Sequence, residues 1–356
     1  MSRRLKRLAG SLQQAYLWLE DKPMVIVLAA AGATAGAALV LASEADWPRV
    51  VRLVYARHAW AWLAVCLVGE LAAYGGYVLT VRDMSRVDEG SDLELAASVK
   101  TVVAGFGVFA ATRSSGGFAV DYWAFRQAGA ARRDAVRRVL GLGFLEYAVL
   151  SVGALGASAL LFFRLDGHAS DSVTLPSLLV IPVLIVALWL TSPKRAKRLS
   201  RPRRGWLRGL FADSVGGATT VRHLLLSPRE HGLGVFGNVL YWAGDILCLW
   251  AALRLVNAQI SVSALVLGYS AGYVLTRRAL PAGGAGVVEI ALTFALVGMG
   301  LRFTPALLGV VVYRLFNFWL PIVPALALMP AIRQLRERFQ RAEQAEGKPK
   351  FSRRSA

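Results

Sequence analysis

Acidic residues are scarce in this sequence. Only 22 Asp and Glu stand against 41 Lys and Arg, a net charge of +19, and charged residues make up just 18% of the 356 positions. A soluble chain carries roughly 25%, so charge is depleted where a bilayer would require it. Cysteine is nearly missing as well: Cys66 and Cys248 each sit in an apolar stretch with no CxxC pair, and they read as small buried thiols. The histidines His58, His168, His223 and His231 show no metal-ligand spacing, so no metal and no cofactor is expected. There is no GxxxxGK[ST], which sets aside ATP as the direct energy source, and neither HExxH nor GxSxG appears. GLGVFG at 232–237 matches GxGxxG, but no βαβ unit surrounds it. No residue is therefore assigned a catalytic role. Nucleic acid is not the expected partner either, because Arg and Lys fall between apolar runs instead of forming a soluble basic face.

What the chain has in abundance is long apolar runs. Met24–Ala42 holds 19 consecutive uncharged positions, nearly enough to cover a hydrocarbon core of ~30 Å at ~1.5 Å per residue. Comparable runs follow at 59–80, 95–112, 139–163, 173–192, 235–255, 261–276, 285–301 and 305–329. The connection 193–208 carries eight Lys/Arg and no acid, and both termini are basic, so all three are expected on the cytoplasmic side. Nine full spans would separate the termini and would place Arg132, Arg133, Arg137 and Arg138 outside. Folding 95–127 into a re-entrant hairpin, broken at 113–117, removes both conflicts. The expectation is thus an all-α, polytopic helical bundle of about eight spans plus one re-entrant hairpin, in the cytoplasmic membrane with both termini inside. The domain division is a basic tail 1–23, a membrane domain 24–330 with a basic cytoplasmic loop 193–234, and a basic tail 331–356. Residues 209–230 fit either an amphipathic helix on the inner surface or a plain linker helix.

The two halves echo one another. Arg113 is followed by Gly116, Gly117 and Asp121; Arg277 and Arg278 are followed by Gly283, Gly284, Gly286 and Glu289. Paired interruptions in two halves point to a transporter's site, and the echo is compatible with an inverted repeat. Glycines let a helix end approach a ligand, and a half-helix starting after them offers free N–H groups to an anion. With an Arg fork beside it, each break suits a phosphate. The alternative is that the glycines serve tight packing and the arginines snorkel to the interface. Glu70, Lys100, Glu146, Asp245, Glu289 and Arg314 lie within or near apolar runs, where ionisable groups face a bundle interior or one another. Asp121, Arg126, Glu146, Asp245, Glu289 and Arg314 are therefore taken as a polar path or as ion pairs.

PAGGAGVVEIALTFALVGMG (281–300), VVVYRLFNFWLPIVPAL (310–326) and TRSSGGFAVDYWAFRQAGA (112–130) together resemble the lysylphosphatidylglycerol synthase transmembrane-region family. Pro281, Gly283, Gly284, Gly286 and Glu289 match its late motif, with Glu289 one position late, and Arg314 matches the following helix. The first motif lacks a Pro near 114, and Tyr147 stands after Glu146 where the family has Arg. The resemblance implies a flippase-like membrane domain. With about 26 residues after the last apolar run, the soluble aminoacyltransferase domain of the lipid-modifying members is not expected.

Three readings follow. The first is translocation or binding of an anionic phospholipid or lipid-linked intermediate. In it Arg113, Gly116, Gly117, Arg277, Arg278, Gly283, Gly284 and Gly286 hold phosphate, and membrane lipids are the partners. The second is a membrane-embedded enzyme or enzyme subunit of lipid or polyisoprenoid-glycan synthesis, with a soluble transferase docked on 193–230. The third is a structural scaffold. A homo-oligomer is open to all three.

Overall fold

The computed structural model describes residues 59–324, apart from 88–89, 91, 112–114, 168–173, 201–205 and 278–285, and Gly32 alone outside that range. The expected span 24–42, both tails, Arg113, Arg278, Gly283 and Gly284 lie outside the described residues. Among the described residues the chain forms eleven α-helices and no strand. They are α1 (Ala59–Arg86), α2 (Leu95–Ala111), α3 (Ser115–Gln127), α4 (Arg132–Phe162), α5 (Val180–Leu190), α6 (Pro193–Leu199), α7 (Trp206–Leu226), α8 (Pro228–Leu255), α9 (Val262–Arg277), α10 (Val287–Gly298) and α11 (Phe303–Arg314). A 3₁₀ turn, Leu175–Leu179, leads into α5, and a π-helical turn, Leu315–Trp319, continues α11 towards Pro324.

Four of these are long and apolar enough to cross a membrane: α1, α4, α8, and α11 with its continuation. The 3₁₀ turn with α5 and α6, Leu175–Leu190 and Pro193–Leu199, bent by 77°, counts as a fifth when the two are taken as one broken span. The bend falls where the apolar run meets Pro193, which occupies the first turn of α6 and cannot continue the hydrogen-bonding of α5.

Two short-helix pairs stand beside these. In the first, α2 and α3 have 17 and 13 residues and pack against each other, the hairpin expected over 95–127. Its glycine pair, Gly116 and Gly117, is helical, within α3 as described from Ser115. In the second pair α9 covers the expected run 261–276, and α10 is shorter than the expected run 285–301. Helix α10 has 12 residues, or ~18 Å, short of a ~30 Å core, while α9 is described over the 16 residues Val262–Arg277. They lie on each other because α9 has no side chain at Gly268 and Gly272; a Cβ on Gly272 would come within 2.7 Å of Leu292 Cα.

The centre is the crossing of α1 and α8, and it is built from glycine. A Cβ on Gly76 would lie 2.3 Å from the Gly237 carbonyl oxygen, and one on Gly244 would lie 2.4 Å from that of Gly69. Two backbones in contact explain the discarded GLGVFG match: Gly234 and Gly237 serve helix packing. At Gly234 the carboxylate of Asp83 accepts the backbone N–H (2.7 Å), just past His231, where α8 departs from helical geometry. Around this crossing Leu142 and Leu145 of α4, Leu249 and Leu253 of α8, Leu265 of α9, Leu292 of α10 and Tyr313 of α11 fill the interior. Cys66 and Cys248 are buried and free, the Cys66 thiol donating to the Cys248 carbonyl (3.5 Å).

Most of 209–230 falls in helix α7, which ends at Leu226. It buries Ala212, Val215, Val221 and Leu224 while leaving Leu207, Leu210, Phe211 and Leu225 exposed. Its packing partner is α4, to which Asp213 binds through Arg133 (2.6 Å). At the other end of α4, the Asp166 carboxylate accepts the Ser263 N–H at the start of α9 (2.8 Å). That bond holds the Asp166 carboxyl below its ordinary range.

Because the α1–α8 contact is backbone against backbone, neither side can give way. Gly76→Leu is expected to destabilise the protein by ~3 kcal/mol or more, at or beyond the upper end for overpacking. Gly75→Leu, where nothing lies within 4 Å of the added Cβ, should change stability by under ~0.5 kcal/mol. Thermal unfolding of the detergent-purified variants checks both.

Candidate functional site

Side by side on the crossing helices, Gly69 precedes Glu70 and Gly244 precedes Asp245, so the contact of the two backbones carries two carboxyl groups into the interior together. Both are buried, Glu70 at 4% and Asp245 at 0% exposure, and they are close enough to interact. Partners converge on Asp245 from two further elements. Tyr269 of α9 donates its hydroxyl to Oδ2, and Asn317, in the π turn, donates its amide to Oδ1 (2.8 Å). Of the Glu70 oxygens, Oε1 has no hydrogen-bond partner among the described residues.

Asn317 links this pair to a second one. Its Oδ1 accepts a 3.4 Å contact from Arg314 Nη1, and Arg314 Nε donates to Glu289 Oε1 (2.8 Å). The other Glu289 oxygen accepts the backbone N–H of Gly286 (2.7 Å), in the way a carboxylate at the third helical position closes a helix start. Gly286 has φ +83°, a conformation that costs glycine nothing but strains other residues. Glu289 therefore fastens the start of α10 and neutralises Arg314 in one step. The Arg314 guanidinium also stacks on Phe318, 4.3 Å from its ring centre. The π turn at 315–319 comes directly after Arg314; such bulges cluster at functional sites.

These groups share one depth. Arg314 is the twelfth of 22 residues in the span Phe303–Pro324, and Glu70 and Asp245 lie well inside α1 and α8. The network sits near mid-span, and so does the beginning of α10.

Of the sequence-derived candidates, Asp245, Glu289 and Arg314 come together, and Gly286 joins them through its N–H. Asp121 sits on α3 against α1 and accepts the Tyr77 hydroxyl (3.4 Å). A line of rings connects it to the network: Tyr77 to Tyr241 (5.4 Å), Tyr241 to Trp242 (4.7 Å) and Trp242 to Tyr269 (6.0 Å). Glu146 is buried on α4, its carbonyl accepting the Trp242 indole N–H (2.9 Å). Arg126 closes the end of α3 by donating to the Ala130 carbonyl (2.9 Å). Lys100 is exposed and stands apart. Gly116, Gly117 and Arg277 are placed by their helices alone, as part of α3 and as the last residue of α9. Tyr269 and Asn317 were missed. The spacing Arg314-x-x-Asn317 inside an apolar run was the available signal, since residues three apart share a helix face.

Membrane-length helices around a buried ionic network, with a half-length helix starting beside it, define a polytopic α-helical membrane protein with a polar site inside its bundle. Over residues 24–325 the chain matches the model of the lysylphosphatidylglycerol synthase TM region, and it belongs to that family, which is membrane-embedded and lipid-related. No curated protein matches the chain.

Arg314 and Glu289 are each 3% exposed at the side chain, so removing one strands the other. Arg314→Leu is expected to cost ~3–5 kcal/mol, whereas Arg314→Leu combined with Glu289→Leu should recover most of the loss. The difference between the two, read from unfolding midpoints in detergent, measures the stranded charge.

Proposed function

We propose that this protein binds the headgroup of an anionic phospholipid, or of a lipid-linked intermediate, at its helix breaks and carries it between the leaflets of the cytoplasmic membrane. The observation that carries the reading is the start of α10 at mid-span, held there by the Glu289–Arg314 pair. A helix beginning inside a membrane directs free N–H groups and the positive end of its dipole at whatever occupies the bundle interior. In the sequence Arg277, Arg278, Gly283 and Gly284 come directly before that start, and the first half carries Arg113, Gly116 and Gly117 before Asp121. Phosphate-recognising residues are thus concentrated at both breaks, while Glu70, Glu146, Asp245 and Asn317 form the polar lining.

The short helix α10, packed on α9, also supports the inverted-repeat reading. If each hairpin returns to the side it entered from, the crossings are 24–42, α1, α4, α5, α8 and α11. An even number of crossings keeps both basic tails and the loop 193–208 on the cytoplasmic side, as the positive-inside rule asks. The first hairpin then opens from the inside and the second from the outside. Each half would present its phosphate-binding break to a different leaflet, the arrangement that alternating access uses. With no nucleotide-binding signature in the sequence, movement would follow the lipid gradient or an ion gradient.

Leaflet exchange of labelled phosphatidylglycerol in liposomes containing the purified protein tests the reading. Exchange should exceed that of protein-free liposomes and fall by about tenfold or more, ~1.4 kcal/mol in the barrier, in Arg277→Ala/Arg278→Ala. Exchange that is absent across anionic lipids, or indifferent to these arginines, would exclude the assignment.

A further inference from the structure

Away from the network, two cavities among the described residues follow one another along the same helices. The first is apolar and about 840 Å³ in volume. It lies between α4 (Leu145, Val149), α8 (Ile246, Trp250) and α9 (Val262), with Leu225 of α7 at its margin. It opens towards the surroundings, since Val152, Val239, Leu225 and Val262 on its rim are each more than 40% exposed. The second is about 650 Å³ and lies at the basic ends of α4, α6 and α7. Arg137, Arg138, Lys197 and Arg222 line it together with Thr219, against a single lining carboxylate, Asp134.

The two stand in fixed register. On α4 the basic lining ends at Arg138 and the apolar lining begins seven residues later at Leu145; on α5, Leu184 lines the apolar cavity and Thr191, seven residues on, lies at the basic one. Seven residues are ~10 Å, comparable with the headgroup layer that adds ~5–8 Å to each side of the hydrocarbon. The apolar cavity runs from Val239 to Trp250 on α8, ~17 Å, long enough for an acyl chain that fills the ~15 Å hydrocarbon of one leaflet, and it passes the depth of Asp245. Arg222 donates to the Leu188 carbonyl (3.2 Å), tying α7 to α5 at the junction of the two cavities.

The positive charge is only partly answered by protein. Arg137 reaches Asp134 at 3.8 Å and Asp213 at 3.7 Å and donates to the Ser200 carbonyl, while Arg133 also draws on Asp213. The Leu188 carbonyl is the acceptor for Arg222. Carbonyl partners orient a guanidinium without neutralising it, so the cavity keeps an excess of positive charge with hydroxyl donors beside it.

We propose that the two cavities are the two halves of one site for an anionic phospholipid whose headgroup enters at the basic ends of α4, α6 and α7, distinct from the helix breaks. The phosphate lies among Arg137, Lys197 and Arg222, and the acyl chains lie along α4, α8 and α9. The choice of ligand rests on the lipid-handling reading above, but binding is measured without any transport, so either can fail alone. The lipid would hold α7 against α4 and α5, at the foot of the helices that frame the interior.

Native mass spectrometry of delipidated protein, titrated with phosphatidylglycerol and separately with phosphatidylcholine, tests the site. Phosphatidylglycerol should bind with clear preference, and Lys197→Gln/Arg222→Gln should reduce that preference by about tenfold. Arg195→Gln/Arg198→Gln removes the same charge from α6 outside the cavity lining and should leave the preference in place. Gly153→Trp should weaken both lipids, because Gly153 lines the apolar cavity and an added side chain there meets nothing within 4 Å. Equal binding of the two lipids, an equal loss in both charge pairs, or full binding by Gly153→Trp would overturn the proposal.

Discussion

The contact of α1 with α8 is the constraint on which the rest of this molecule depends. Glycines at 69, 76, 237 and 244 bring two helix backbones together with no side chain between them. Lipid tails give helices no hydrophobic reason to associate, so close packing of this kind is what holds a membrane bundle together. It also fixes where chemistry can occur. Glu70 and Asp245 each follow a contacting glycine, so the crossing carries two carboxyl groups into an interior that would otherwise be apolar. Buried charge of that kind is tolerated only when partners are supplied. Tyr269, Asn317 and Arg314 supply them from α9 and from α11 and its π turn, and Arg314 in turn engages Glu289 at the start of α10. One packing contact thus draws in the helix break.

A buried ion pair is weak evidence for stability, because well-packed apolar residues often serve as well. The Arg314–Glu289 pair therefore calls for a reason other than holding the bundle. Its position provides one: Glu289 ties down a helix that starts at mid-span, where exposed N–H groups need either a carboxylate or a ligand. A membrane tolerates such a broken backbone only where protein buries it or a cavity receives it. The chain of rings from Tyr77 to Tyr269 then connects this break to Asp121 on the first hairpin, so the two halves share a continuous packed interior. The outer face of the bundle is a separate matter, with an apolar cavity above a basic one.

Much of the architecture was legible in the sequence. Runs at 59–80, 95–112, 261–276 and 305–329 correspond to α1, α2, α9 and α11 within several residues, because apolar length and charged flanks are local properties. The hairpin at 95–127 was legible from charge bookkeeping alone. The shortness of α10 was not: it is as apolar as a true span, and its length shows only once Gly286 is seen to start it beside Arg314. The ionisable residues Asp245, Glu289 and Arg314 were legible as a group because each is out of place in an apolar run. Their pairing was not, nor was the part of Tyr269 and Asn317, which are unremarkable residues until a carboxylate faces them. Gly234 and Gly237 show the converse, a motif-like pattern whose use is packing.

By itself, then, the sequence determined that this is a helical membrane protein, roughly where each helix lies, and which few residues are too polar for lipid. Those follow from the transfer cost of each residue and from spacing along the chain. Only the tertiary structure decided which acid meets which base, that α10 begins in mid-span, and that an apolar and a basic cavity stack along α4, α5 and α7. Such facts depend on groups from helices far apart in sequence meeting at hydrogen-bond distance, and no local pattern encodes that meeting.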